Sequence, residues 1–270
     1  MSDVGHEATG SQPRDVAGEA SGVAHDHVAG GASGVAHDDV AADASGDASV
    51  HVAGETLVML PERALCWPRL HTLFIADAHF GKAASFRAHG VPLPRGTTLD
   101  SITRADALLA RTRARRVVFL GDFLHARNGR APRTLAQIQE WRERHADVDM
   151  LLVRGNHDRH AGDPPPELGI ECVDEPHLEA AFVLAHHPQD SRHGYVLAGH
   201  IHPAVRLVGR ARQSASLPCF WFGTGCAVLP AFGSFTGTAT VDVARDDRVF
   251  VIADGRVLDV SPGRPPARPG

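Results

Sequence analysis

Five short stretches between Asp77 and His202 are crowded with side chains that bind metal ions: Asp77-Ala78-His79, Gly121-Asp122, Gly155-Asn156-His157-Asp158, His186-His187 and Gly199-His200-Ile201-His202. They bring hard oxygen or imidazole ligands, and none brings a thiolate. That mixture suits Mn2+, Fe2+ or Zn2+ and disfavours a structural zinc site, which would use cysteine. The residue types also suit two ions. Metals about 3.5–4 Å apart need a bridging carboxylate, and each needs terminal ligands of its own. One Asp on the middle loop can bridge, while the flanking loops serve one ion each. A hydroxide bridging the two ions, its pKa lowered by both, would attack phosphorus in line, and the metals would hold the charge shed onto the phosphate oxygens. A nearby imidazole can protonate the leaving alkoxide. The chemistry expected is phosphoester hydrolysis.

Such donors must be delivered by strands that end together. Thr72–Ala76, Arg116–Leu120 and Met150–Val153 read as buried strands, and a donor stretch follows each of them. Between the first two, Thr97 to Arg115 has Ile102, Ala105, Leu108 and Leu109 at helical spacing, and Pro92 and Pro94 end the loop before it. Between the second and third, Thr134 to His145 puts Leu135, Ile138 and Trp141 on one stripe. This alternation predicts βαβ units and a parallel sheet, with ligands at the carboxyl ends of its strands. Beyond Ala181 the pattern changes to strands with little helix between them: Ala181–Ala185, Tyr195–Leu197, Cys219–Phe222, Thr238–Asp242 and Arg248–Ile252. The fold class expected is α/β, two mixed sheets packed face to face with helices outside.

The ends of the chain differ from this middle. Residues 1–55 hold no Phe, Trp, Tyr, Leu or Ile and repeat with a period of 12, from Ala8, Ala20, Ala32 and Ala44. Such a segment buries too little apolar surface to offset its chain entropy, so a disordered tail is expected there, with the folded domain at 56–260 and a loose Pro- and Arg-rich end at 261–270. The tail holds ten acidic residues and one basic, −9 of the −5 total, which leaves residues 56–270 at +4. A mildly basic domain suits a polyanionic substrate without proving one. The four cysteines form no CxxC pair, which argues for a reducing compartment. No apolar run approaches the roughly 18 residues of a membrane helix, and no basic-then-apolar leader opens the chain. A cytoplasmic protein is expected.

Taken in order, DxH, GD, GNHD, H and GHxH, these five blocks resemble the calcineurin-like metallophosphoesterase superfamily. The resemblance implies a four-layer αββα sandwich. It also implies that Asp77, His79 and His202 hold one metal and Asn156, His186 and His200 the other, with Asp122 bridging. His157 would be the general acid or transition-state stabiliser, and Asp158 its orienter. Surrounding text sharpens the likeness: His79-Phe80-Gly81-Lys82, Gly121 to Arg127, Gly199 to Pro203, Leu217 to Phe222 and Leu229 to Gly237. Together these are similar to the ligase-associated DNA damage response endonuclease (PdeM) branch. That branch implies two divalent ions with Mn2+ preferred, DNA as substrate, and association with DNA ligase and helicase repair proteins. A phosphoesterase for small nucleotides or phosphomonoesters is the alternative, and a non-catalytic repair scaffold the second. The scaffold is disfavoured because every proposed ligand is present.

Other residues have bland readings beside sharp ones. Adjacent side chains on an extended segment point opposite ways, so His186 is expected at the metal and His187 beside it or in solvent. His125, three residues past Asp122, can reach substrate or sit solvated. Arg127, Arg130 and Arg133 can grip a nucleic-acid backbone or simply solubilise. Lys82 is the only lysine against 26 arginines, and Lys is not interchangeable with Arg at a tight charged site; it is expected to contact phosphate or a site carboxylate. Phe232 and Phe235 can stack on bases, but core packing is the expectation.

Overall fold

The computed structural model describes residues 45–88, 90–91, 96–208 and 214–263, all within one compact unit, Gly34–Gly270. Most of the repeat segment, Pro92, Pro94 and residues 264–270 lie outside the described residues.

Seven strands form the first sheet in sequence order: β1 (Ala48–Val52), β2 (Glu55–Leu60), β3 (Ala64–Trp67), β4 (Thr72–Ala76), β5 (Arg116–Leu120), β6 (Asp149–Val153) and β7 (Glu171–Val173). β1 to β4 pair antiparallel and β4 to β7 parallel. The helices are α1 (Lys82–Ala88), α2 (Thr97–Thr112), α3 (Pro132–Arg144) and α4 (Asn156–Ala161). The parallel strands are apolar at nearly every position because both faces are covered. Leu73, Ile75, Val117, Phe119, Met150 and Leu152 pack with Ile102, Leu108, Ile138 and Trp141 of the helices. The alternate residues Phe74, Ala76, Val118, Leu120, Leu151 and Val153 face the other way, onto Phe182, Leu184, Leu197, Phe220 and Phe250 of a second sheet.

That second sheet comprises β8 (His177–Glu179), β9 (Phe182–Leu184), β10 (Tyr195–Ala198), β11 (Pro203–Val208), β12 (Ser214–Phe222), β13 (Cys226–Val228), β14 (Ala239–Thr240), β15 (Arg248–Ala253) and β16 (Arg256–Asp259). Its main path runs β14-β11-β12-β13-β10-β9-β8, with β15 joined to β12 and β16. The expected two packed mixed sheets are therefore present. Helices cover the first sheet, but the helical layer implied for the outer face of the second is not found among the described residues. No segment between its strands has a helical apolar stripe. That face carries small apolar clusters instead, such as Val183, Ala185, Val196 and Ala198.

The folded domain also starts earlier than residue 56. The last of the four repeats contains β1, whose Ala48, Val50 and Val52 are buried while His51 is exposed. Their alternation satisfies a half-buried edge strand, and the register Val50↔Leu57 closes a hairpin with β2. No helix among the described residues is long and apolar enough to cross a membrane.

Candidate metal centre

Strand register delivers the donors to one level. Ala76 pairs with Leu120, and Leu120 with Val153, so the chain leaves the sheet at Asp77, Gly121 and Arg154 side by side. In the second sheet Leu184 pairs with Leu197 and Ala198 with Val228, so His186 and Gly199 leave together as well. Backbone bonds stitch these exits: His79 N–H donates to Asp122 O at 2.8 Å, and Gly199 N–H to His186 O at 3.0 Å. Small residues are required where the loops touch. A Cβ on Gly121 would stand 2.0 Å from His186 Nδ1, one on Gly155 2.3 Å from Asp122 Oδ1, and one on Gly199 2.6 Å from Asp77 Oδ2. Asp77, His79, Asp122, His200 and His202 all have left-handed backbones, φ 45° to 70°. Strain of that kind gathers where a site, rather than a core, dictates the conformation.

Three overlapping groups result: Asp77, His79 and His202; Asp77, Asp122 and His186; and His186, His187 and His200, each with donor atoms within 4.8 Å of one another. Asp122 Oδ2 lies 3.8 Å from His79 Nε2, and its Oδ1 lies 3.5 Å from His186 Nε2. His202 Nε2 is 3.4 Å from both His79 Nε2 and Asp77 Oδ1. His186 Nε2 is 2.9 Å from Asn156 Oδ1 and 3.0 Å from His200 Nδ1. The imidazoles are oriented by their far nitrogens. His186 Nδ1–H donates to Leu120 O, His202 Nδ1–H to Gly237 O and His157 Nδ1–H to His125 O. In each of the three the Nε2 lone pair is left for the site. His157 Nε2 stands 3.9 Å from Asp122 Oδ2.

The electrostatics are those of a site built around cations. Burial raises the Asp122 carboxyl, and Asp77 beside it adds to the shift. Burial keeps His79 uncharged, helped by Lys82 and the neighbouring histidines, and lowers His200 to about 4. Asp77 Oδ1 and His79 Nδ1 are buried with no hydrogen-bond partner, which is costly in an apolar interior. A divalent ion among these donors would offset that cost at Asp77 Oδ1, though not at His79 Nδ1, whose ring turns Nε2 to the site, and the all-oxygen-and-nitrogen donor set fits such an ion.

Every expected ligand is thus in the cluster, but one neighbour differs from expectation. Asp158 does not orient His157. Its carboxylate is occupied by the N–H groups of Gly155, Phe123 and Leu124, at 2.9, 3.0 and 3.4 Å, while the His125 carbonyl holds the His157 ring. Asp158 therefore ties two donor loops together, and burial raises its carboxyl to about 6. His187 takes the first of its two expected places, beside the site, because the chain bends after β9. Its ring centroid comes within 4.3 Å of that of His200. Arg127 and Arg130 donate to backbone carbonyls, of His160 and of Ala161 to Asp163. These bonds tie both arginines to α4 where the GNHD loop continues, and Arg127 uses only its Nε there while its side chain stays exposed. His125 lies between Phe86 and His157, with ring centroids 5.8 and 4.9 Å away. Lys82 is half-buried, and the Asp122 and Asp77 carboxylates favour its charged form against burial.

One participant was invisible beforehand. Glu175 accepts the His186 and His187 N–H groups on Oε2, at 2.8 and 2.9 Å, and His187 Nδ1–H on Oε1, at 2.7 Å. Nothing in its local sequence marks it; only the approach of β7 to the end of β9 does.

No protein-family model and no curated protein matches the chain. Among solved structures, Pseudomonas putida nuclease MPE is 42% identical, covering 79% of this chain and 100% of that one, with a TM-score of 0.71. The phosphoesterase Yfce from E. coli is 17% identical over 70% of this chain and 92% of its own, with a TM-score of 0.33, too distant to bear on the fold. With the first likeness spanning the donor loops and both sheets, the chain belongs to the calcineurin-like metallophosphoesterases, metal-dependent phosphoester hydrolases, alongside nuclease MPE.

Proposed function

We propose that this chain is a dinuclear phosphodiesterase that cuts DNA. The observation that carries the two-ion reading is Asp122, whose two oxygens face different donor groups, one toward His79 and the other toward His186. In this reading Asp77, His79 and His202 hold one ion, Asn156, His186 and His200 the other, and Asp122 serves both. Bound ions of this kind supply a nucleophile at neutral pH and neutralise charge on the phosphate. Mn2+ is the proposed metal, with Fe2+ and Zn2+ compatible with the same donors.

The chain's own groups do the rest. Asp122 Oδ1 accepts the His157 N–H at 2.9 Å, and Asp77 Oδ2 the His200 N–H at 2.9 Å, so each carboxylate is aimed by a neighbouring loop. His157, with Nδ1–H fixed on the His125 carbonyl, turns Nε2 to the site. As the imidazolium, with its second proton on Nε2, it would deliver that proton to the leaving oxygen and return to the neutral ring whose Nε2 lone pair faces the site. Lys82 supplies a compact positive charge to the phosphate, and His125 positions His157 through its carbonyl.

DNA as the substrate is supported by the likeness to a nuclease and by the +4 charge of residues 56–270. A role in DNA repair beside ligase and helicase proteins belongs to the same proposal and rests on the resemblance of the flanking segments. Circular single-stranded DNA with added Mn2+ tests it, since only an endonuclease opens a circle. Wild type should linearise it, His157→Ala should do so about 10²- to 10⁴-fold more slowly, and Asp122→Ala should not. Hydrolysis of a small phosphomonoester with the circle left intact would overturn the DNA assignment.

A further inference from the structure

The loop after β13 carries two phenylalanines that the fold treats oppositely. Phe232 is fully buried, with the Arg104 guanidinium 4.1 Å from its ring centroid; core packing is correct there. Phe235 is 54% exposed, against the expectation that it too is core. One exposed aromatic needs no explanation by itself. This one, however, sits at φ 60°, a left-handed conformation that is a true outlier for a bulky side chain. Strain retained at such a residue points to a use.

The loop is fastened to the metal centre on both sides of Phe235. Upstream, the N–H groups of Phe232 and Gly233 donate to Ala76 O and Asp77 O at 2.8 and 3.0 Å. Downstream, Gly237 O accepts His202 Nδ1–H at 2.9 Å. Phe235 is therefore two residues from a group on the backbone of one candidate ligand, and two from a group on the ring of another. Gly233 allows that approach, because a Cβ there would stand 2.7 Å from Ala78 O. Ser234 joins His79, Lys82 and Thr98 in lining a small crevice, so the residue before Phe235 shares one opening with Lys82. The edge of the centre thus carries a cation in that crevice and, one residue beyond its Ser234 wall, an exposed aromatic ring. A nucleotide presents a phosphate and a base to match the two.

We propose that Phe235 stacks on a nucleobase adjoining the scissile phosphate, making this loop a substrate-positioning element. This rests on the nucleic-acid reading above. The test compares wild type with Phe235→Ala, Phe235→Leu and Phe235→Trp on two oligonucleotides, one with all its bases and one abasic around the cut. Loss of one stacked base should raise KM on the base-bearing strand roughly 5- to 100-fold in the Ala and Leu variants. Trp should restore it, and KM on the abasic strand should not change between proteins. A 2-aminopurine strand bound in the presence of chelator should be quenched by wild type and Phe235→Trp only. Equal KM changes on both strands, or none on either, with wild type active, would overturn stacking alone. If wild type cuts neither strand, the nucleic-acid reading falls and stacking falls with it.

Discussion

Replacing Glu175 with alanine strands three donors: the N–H groups of His186 and His187 and the ring Nδ1–H of His187. A buried donor left unpaired costs about 1–3 kcal/mol. The His187 side chain is 40% exposed and can rehydrate, so the penalty falls mainly on the two backbone groups, about 2–6 kcal/mol in all. For a domain of this size that lowers Tm by roughly 5–20 °C. The positional effect is separate. His186 Nε2, 2.9 Å from Asn156 Oδ1, loses the turn that aims it, and metal affinity should fall about 10- to 100-fold. Glu175→Gln keeps one oxygen for both backbone donors and donates its NH2 to His187 Nδ1 once the ring proton sits on Nε2, so it should recover most of the stability. Burial pushes the Glu175 carboxyl up, but the hydrogen bonds from His187 and His186 outweigh this and hold it below the usual carboxylate range. A depressed acid stabilises above its unfolded value and loses that contribution as pH falls through its folded one. Wild type should therefore lose more stability than Glu175→Ala on acidification below about pH 4. Urea denaturation across pH and calorimetric Mn2+ titration read both effects. A Glu175→Ala protein within about 0.5 kcal/mol of wild type, with unchanged Mn2+ affinity, would refute the reasoning.

Gly121→Ala would push a Cβ to 2.0 Å from His186 Nδ1 at a backbone φ of 79°; the expected cost is about 2–4 kcal/mol by urea melt, with weakened metal binding by titration. His157→Ala should lower kcat about 10²- to 10⁴-fold while metal content stays the same. That loss should shrink for a p-nitrophenolate leaving group, which needs no proton. Lys82→Arg should lower turnover and raise KM in steady-state assays, because the longer, planar cation does not reproduce a point charge; full retention would remove Lys82 from the site.

The parallel strands were legible because they are buried on both faces: Thr72–Ala76 and Arg116–Leu120 form with the expected bounds. The clustering of the candidate donor residues was legible for a related reason, since their stretches leave strands that end level. Less could be read where the cause is long-range. β1 hides in a repeat of small residues, and only its partner β2 shows that Val50 is a core position. Asp158 adjoins His157 in the chain, yet its carboxylate serves Phe123 and Leu124 from another loop. Glu175 lies 11 residues before His186 with no motif between them. Phe232 and Phe235 share one short segment, and only packing separates the buried ring from the exposed one.

Two divalent ions held between Asp77, Asp122 and their imidazoles would enable phosphoester hydrolysis. The most direct measurement counts Mn2+ retained per chain after dialysis and desalting, by elemental mass spectrometry, with diester turnover followed on the same samples. Wild type should retain two ions per chain and Asp122→Ala fewer, and turnover should disappear on chelation and return with Mn2+. Wild type that retains no metal, or that hydrolyses the diester equally well after chelation, would contradict the two-ion reading.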